Sequence, residues 1–154
     1  SFEEIGDVVS GKALDNRVAA WIVLEALRKT KTIKYDLTLA CTVQEEVGLR
    51  GAGPAAFGVD PDIAIALDTT LCCDTPGIPD DEKVTQQGKG VALKIMDGAS
   101  ISNRQLVDEL SRIATTHAIP HQISVLPRGG TDAGAMQRTR AGIRVATLAI
   151  PTRY

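Results

Sequence analysis

Two glutamates stand side by side at positions 45 and 46, in the stretch Thr42-Val43-Gln44-Glu45-Glu46-Val47-Gly48-Leu49-Arg50-Gly51-Ala52. A third acid, Asp68, follows the apolar run Ile63-Ala64-Ile65-Ala66-Leu67, and a fourth, Asp15, lies in Gly11-Lys12-Ala13-Leu14-Asp15-Asn16-Arg17. Singly, each reads as a solvated loop carboxylate, or in the case of Asp15 as a helix cap. Brought together they would repel, and at least one would take up a proton. A divalent cation removes that conflict, and carboxylate oxygens suit zinc, manganese and cobalt. Two ions about 3.5–4 Å apart, sharing one carboxylate, form a peptidase-type centre. A bridging water would lose its proton near neutral pH, and a carboxylate not spent on metal could carry that proton to a leaving amine.

Gly129-Gly130-Thr131-Asp132-Ala133-Gly134 offers a flexible loop running into a helix start. Its amides could hold a carboxylate or polarise a carbonyl, and it reads equally as a turn capped by Thr131 or Asp132. His117 and His121 are the only histidines. His117 falls near a helix end, where a cation is favoured, and His121 opens a strand away from the acids, so neither is assigned to a metal. Cys41, Cys72 and Cys73 lack the spacing of a zinc knuckle or a redox pair. They read as packing residues, and their odd count suits a reducing cytoplasm.

These groups need a frame. Val18, Ala19, Trp21, Ile22, Leu24 and Leu27 recur at helical spacing behind Asp15, predicting a helix capped there and ending near Lys29-Thr30 with basic residues in its last turn. Leu37 to Val43 reads as a strand, with Glu45-Glu46 just past its end. Glycines 48, 51 and 53 mark a turn into a short helix around Pro54–Phe57, and Ile63–Leu67 is the next strand. After a looser segment with Pro76, Gly77 and Pro79 come a strand at Val91–Met96 and a helix opened by Ser102 and ending about His117. A strand at Gln122–Leu126, a helix from Thr131 or Asp132 to about Thr139, and a strand at Ile143–Ile150 follow. Alternating strands and helices, the strands continuously apolar, predict a mostly parallel sheet covered on both faces: an α/β three-layer sandwich. In such sheets ligands bind beyond the carboxyl ends of strands, where Glu45-Glu46 and Asp68 are expected.

Length and composition set the outer limits. The 154 residues suit one domain, and a 44% hydrophobic content with 23% charge is enough for a core and too apolar for disorder. Aromatics are only 3%, so Ala, Val, Ile and Leu must fill the interior. A formal charge of −2 without a basic patch speaks against nucleic acid as a partner. No apolar stretch reaches the ~20 residues a membrane-crossing helix needs. The start, Ser1-Phe2-Glu3-Glu4, is not a signal peptide and lacks an initiator Met. The chain is therefore expected to be part of a longer cytoplasmic protein.

The chain resembles the tetrahedral, or deblocking, aminopeptidases, also called glutamyl aminopeptidases and sometimes labelled endoglucanase M. The resemblance rests on residues 11–17, 43–52, Ala66-Leu67-Asp68-Thr69-Thr70, Asp74-Thr75-Pro76-Gly77, Gly88-Lys89-Gly90, residues 129–135 and Ile150-Pro151-Thr152-Arg153-Tyr154, in family order along nearly the whole chain. It implies a zinc-peptidase-like fold and an aminopeptidase with a co-catalytic metal pair, zinc most often and cobalt also accepted. Asp15 would bridge the ions, Glu46 and Asp68 would each ligate one, and Glu45 would be the general base for attack by a bridging hydroxide. The metals would also hold the free amino terminus of a peptide substrate. Family members assemble from dimers into dodecameric tetrahedra. The resemblance further implies two histidine ligands matched by neither histidine here, one before an inserted dimerisation domain and one after the Pro-Thr-Arg-Tyr segment. Residues 1–154 are thus expected to be the C-terminal portion of a metallopeptidase catalytic domain. Arg128, before the glycine pair, is bulkier and more charged than the family pattern.

Two other classes compete. Paired carboxylates also serve glycoside hydrolysis, although one Trp, two Tyr and two Phe make few sugar platforms. A non-catalytic assembly module would keep the fold without needing all four acids.

Overall fold

The computed structural model describes residues 2–153 and divides into two compact units, Ser1–Leu39 and Ala40–Tyr154. No helix among the described residues is long and apolar enough to cross a membrane.

The first unit opens with an antiparallel hairpin that the sequence analysis does not anticipate, β1 (Phe2–Ile5) and β2 (Val8–Gly11), in register from Phe2↔Gly11 to Ile5↔Val8. Its two-residue turn begins with Gly6 at φ 60°, a conformation that suits glycine. Helix α1 runs over Leu14–Lys29. Asp15 and Asn16 have non-helical backbone angles, so regular helix starts behind them, close to the predicted cap. The C-cap Thr30 returns its N–H to the carbonyls of Ala26 and Leu27 and its hydroxyl to Ala26, satisfying carbonyls that a helix end leaves open.

The second unit contains α2 (Ala52–Val59), β3 (Ile63–Leu71), β4 (Val91–Met96), α3 (Arg104–Thr116), β5 (His121–Val125), α4 (Ala133–Met136) and β6 (Arg144–Thr152), with a short 3-10 turn at Asp80–Glu82. The sheet order is β3-β6-β4-β5. β3 and β6 pair in parallel from Ile63↔Arg144 to Leu71↔Thr152, and β4 and β5 are also parallel. β4 meets β6 antiparallel, through Ala92↔Ala149, Leu93↔Leu148 and Lys94↔Thr147. The sheet is mostly parallel, with one antiparallel junction at its centre.

Side-chain alternation assigns the faces. Ala64 and Ala66 of β3 and Val145 of β6 form a core with Ala56 of α2, Ala133 of α4 and Ile143, with Met136 packed against it. On the opposite face, Leu93 shares its side with His121, whose Nε2 accepts from Ser111 Oγ of α3 at 3.0 Å while Nδ1 donates to the Ile119 carbonyl at 3.1 Å. Helices therefore lie on both faces, making the three-layer α/β sandwich. Asn103 caps α3, its side chain accepting from the Leu106 N–H at 3.2 Å. Ser102, expected to open that helix, instead donates its hydroxyl to the Lys94 carbonyl at 2.6 Å.

Two of the expected strands differ. No strand forms over residues 37–43. A run of β-formers becomes a strand only where a neighbour supplies its ladder, and none does so among the described residues. The strand at Ile63 also continues past Leu67 to Leu71, because Thr69, Thr70 and Leu71 find partners in Ile150, Pro151 and Thr152. Asp68 thus sits inside β3 rather than beyond it. Of the cysteines, Cys72 is buried as expected and Cys41 is exposed.

Asp74 ties the segment behind β3 to the end of β6. Its Oδ2 accepts from the Gln87 N–H at 3.0 Å and its Oδ1 from Arg153 Nε at 3.0 Å. The Gln87 amide first, and the Arg153 guanidinium after it, hold the Asp74 carboxyl below its ordinary range. A carboxyl depressed in the folded state adds stability above its unfolded pKa, and that stability is lost as pH falls through the folded value. Asp74→Asn is therefore expected to lower stability near neutral pH and to flatten the acid limb of the stability profile. Denaturant titrations from pH 7 down to pH 2 check it, and an unchanged acid limb would discount the contact.

Candidate active site

Glu45 and Glu46 lie on a turn that closes on itself. Gly48 and Leu49 donate their N–H groups to the Glu45 carbonyl at 3.1 and 2.9 Å, Arg50 to Gln44 at 3.2 Å, and Gly51 to Val43 at 3.0 Å. The sequence permits this closure at identifiable positions. Gln44, Gly48 and Leu49 adopt positive φ, and a Cβ on Gly51 would fall 2.5 Å from the Val43 carbonyl oxygen. Side chains at 45 and 46 are thereby presented from a closed loop rather than a loose one. α2 begins immediately after it, at Ala52.

Asp68 is carried by β3 opposite Ala149 and retains 8% exposure. Its Oδ1 accepts from the N–H of Thr69 at 2.8 Å. Its side of the sheet bears Ala64, Ala66 and Thr70, the face that packs on α2 and α4. Lys94, opposite Thr147 on that face, is 3% exposed, and its ammonium donates to Thr70 Oγ1 at 3.4 Å. Burial pushes the Lys94 ammonium below its ordinary value, while Asp97 and Asp68 draw it back up. A buried cation is tolerable only with such carboxylates close by.

Asp97 accepts from four donors. Oδ1 accepts from the N–H groups of Ala99 and Ser100 at 2.8 and 2.7 Å and from the Ser100 hydroxyl at 2.9 Å. Oδ2 accepts from Thr131 Oγ1 at 3.2 Å, and Thr131 in turn receives the hydroxyl of Thr147 at 3.3 Å. Close packing reinforces the link. A Cβ on Gly98 would lie 2.5 Å from the Gly129 carbonyl oxygen, and one on Gly130 would lie 2.8 Å from Ala99 Cβ. The glycines of the 129–134 loop thus let it lie directly on the Asp97 turn.

Asp132 occupies the N-cap position of the four-residue α4 but makes no side-chain capping bond there. Its Oδ2 instead accepts from the hydroxyl of Thr42. Sequence reasoning assigned no role to Thr42, Lys94 or Asp97. One signal was present, a lysine inside the apolar run Val91-Ala92-Leu93-Lys94-Ile95-Met96. An ammonium in a strand buried on both faces needs acidic partners.

Asp15 belongs to the first unit, exposed at the start of α1, and its peptide bond to Asn16 is cis. Glu45, Glu46 and Asp68 belong to the second unit. Among the described residues, no three or more His, Cys, Asp and Glu side chains gather into a group that could hold a metal ion. The acids offer oxygen donors suited to a divalent cation, but the described residues do not supply a whole shell.

Comparison with known proteins gives a concordant result. The chain matches the M42 glutamyl aminopeptidase family over residues 1–154. It is 38% identical over 144 residues to the lysyl aminopeptidase of Pyrococcus furiosus, covering 92% of this chain and 40% of that protein. The solved aminopeptidase APDkam598 from the archaeon Desulfurococcus kamchatkensis superposes with a TM-score of 0.97 at 38% identity, over 100% of this chain and 44% of its own. The TET1 peptidase of Pyrococcus horikoshii, described as able to assemble into a tetrahedron or a large octahedral shell, superposes with a TM-score of 0.80 at 33% identity, over 100% of this chain and 45% of its own. The chain thus spans less than half the length of these relatives. With its acids, its closed Glu-Glu turn and its sheet all falling within that match, it belongs to the M42 glutamyl aminopeptidase family.

Proposed function

We propose that the intact protein is a metal-dependent aminopeptidase that removes residues from the amino termini of peptides. Residues 1–154 are then the C-terminal portion of its catalytic domain, with the remaining part and a dimerisation insert outside them. The observation that carries this reading is the closed turn presenting Glu45 and Glu46, in a chain that matches the family along its whole length. Asp68, buried on the neighbouring strand β3, adds a carboxylate already withdrawn from bulk water.

In this reading Asp15 would be shared by two divalent ions, zinc with cobalt also accepted, and Glu46 and Asp68 would each hold one. Held there, such ions would supply Lewis acidity to a water and a positive anchor for the substrate's amino terminus. Glu45 would take the proton from the attacking water and pass it to the leaving amine, a task for a carboxylate that is not a ligand. On the same face of the sheet, burial lowers the Lys94 ammonium while Asp97 and Asp68 draw it back toward its charged form, so Asp68 lies within reach of a buried cation. We further propose that the intact protein works in the cytoplasm and self-associates into a dimer-based dodecamer, in line with the assembly named for the Pyrococcus horikoshii relative.

Three outcomes are expected. In the intact protein, Glu45→Gln should lower the hydrolysis of an aminoacyl anilide by about 10²–10⁴-fold while zinc content, by elemental analysis, stays at the parent level. A variant as active as the parent would remove Glu45 from the mechanism. Chelator should abolish the parent activity and added zinc restore it, whereas a two-carboxylate glycosidase would be indifferent to both. Separately, residues 1–154 alone should bind zinc weakly and hydrolyse the anilide hardly at all, because the family's imidazole ligands match neither His117 nor His121. Tight stoichiometric zinc in the isolated chain would count against that ligand set.

A further inference from the structure

The turn carrying Glu45 and Glu46 is internally closed by four backbone hydrogen bonds between residues 43 and 51. Such a loop moves as a body, so the direction of its two carboxylates depends on what fixes the loop to the rest of its unit. Thr42, the residue entering the loop, donates its hydroxyl to Asp132 Oδ2 across 90 positions of sequence. At the other side of the loop, Leu49 Cδ1 lies 3.8 Å from where a Cβ on Gly130 would stand, so the loop rests on the glycine pair. Asp132 is itself anchored through its neighbour, since Thr131 is 1% exposed and bonded to Asp97 and Thr147. Nor is the Asp132 carboxylate spent on its own helix, which receives no side-chain cap.

We propose that Thr42 and Asp132 are positioning residues: their hydrogen bond sets where the Glu45-Glu46 turn stands against the 129–134 loop, and through it where the proton-carrying and ligating carboxylates point. A bond from a neutral hydroxyl to a carboxylate is charge-assisted and directional. It also joins two loops distant in sequence, one bearing the acids and the other opening onto α4. The inference rests on Glu45 and Glu46 acting as proposed. Outer contacts that orient ligands typically cost about 10–100-fold in metal affinity or activity when removed.

The test uses the intact zinc-loaded protein with Thr42→Val, which keeps the side-chain shape and removes the hydroxyl, and Thr42→Ser, which keeps the hydroxyl. Thr42→Val should lower kcat about 10–100-fold with KM changed less than about two-fold, and weaken zinc binding in chelator competition. Thr42→Ser should retain parent kcat and parent zinc affinity. Amide exchange at Gly48, Leu49, Arg50 and Gly51 should quicken in Thr42→Val and stay parental in Thr42→Ser. Should Thr42→Val fail to fold, Asp132→Asn, which makes the bond neutral, should give a smaller loss of kcat in the same direction, and parent kcat there overturns the proposal. Parent kcat in Thr42→Val, or equal losses in Thr42→Val and Thr42→Ser, also overturns it. If the parent releases no N-terminal residues at all, the aminopeptidase reading fails, and the exchange rates alone decide the positioning role, with unchanged exchange counting against it.

Discussion

Strand β6 is the constraint on which the candidate site depends. It lies between β3 and β4 and contacts them in opposite senses, with a nine-residue parallel ladder on one side and an antiparallel junction on the other. The parallel ladder places Asp68 opposite Ala149, and the antiparallel junction places Lys94 opposite Thr147. Because side chains alternate with a period of two, these registers put both charged groups on the same side of the sheet. A slip of one residue on either side of β6 would send one of them to the other face. The ammonium would then lose its carboxylates, and a buried charge without a partner is among the costliest defects a domain can carry. The backbone ladder and the buried charges therefore enforce each other.

The residues along β6 make this arrangement possible. Ala146 and Ala149 are fully buried and small, so helices and neighbouring strands can approach closely. Thr147 contributes a hydroxyl where a larger apolar residue would cut the path from Thr131 to the sheet. The low aromatic content of the chain is consistent with the same geometry: a core filled by Ala and Val leaves room at its edge for polar side chains and for loops lying flat on one another. Gly98, Gly130 and Gly134 extend this to the loops, each standing where a Cβ would collide with backbone or with Ala99.

The sequence disclosed the elements that bury a continuous face and missed those that depend on a partner. The strand at Val91–Met96 matches the expected limits, and the third helix differs only in its cap, because Asn103 lies one residue behind the Ser102 favoured by composition. The hairpin at Phe2–Gly11 went unseen since its strands are short and exposed, so neither carries a core pattern. Leu37–Val43 shows the reverse, β-forming residues that find no ladder. At the site, the acids themselves were legible because an adjacent glutamate pair and an aspartate directly behind an apolar run are chemically conspicuous, although neither stands at a strand end. The contacts that set their direction were not. Thr42 and Asp132 are 90 residues apart, and no local pattern links a threonine in one loop to an aspartate in another. Lys94 was legible in principle, as a cation in an apolar strand, although its partners were not.

Glu45 and Glu46 are adjacent in the chain yet are assigned different tasks, and the turn gives a physical reason why they can be. Neighbouring side chains on one regular element would share either a face or an alternation, whereas here Gln44 stands at φ 59° just before them and the chain reverses just after, at Gly48 and Leu49. Under the proposed roles, one of the two carboxylates would be committed to a cation while its neighbour would carry a proton. A ligand carboxylate is a poor base, because the cation it holds pulls its pKa down; a base must be spared that contact while staying near the water it serves. Separating the two functions over one peptide bond requires a backbone that cannot relax. The four hydrogen bonds across residues 43–51, together with a glycine at 51 that admits no side chain, supply that rigidity within nine residues.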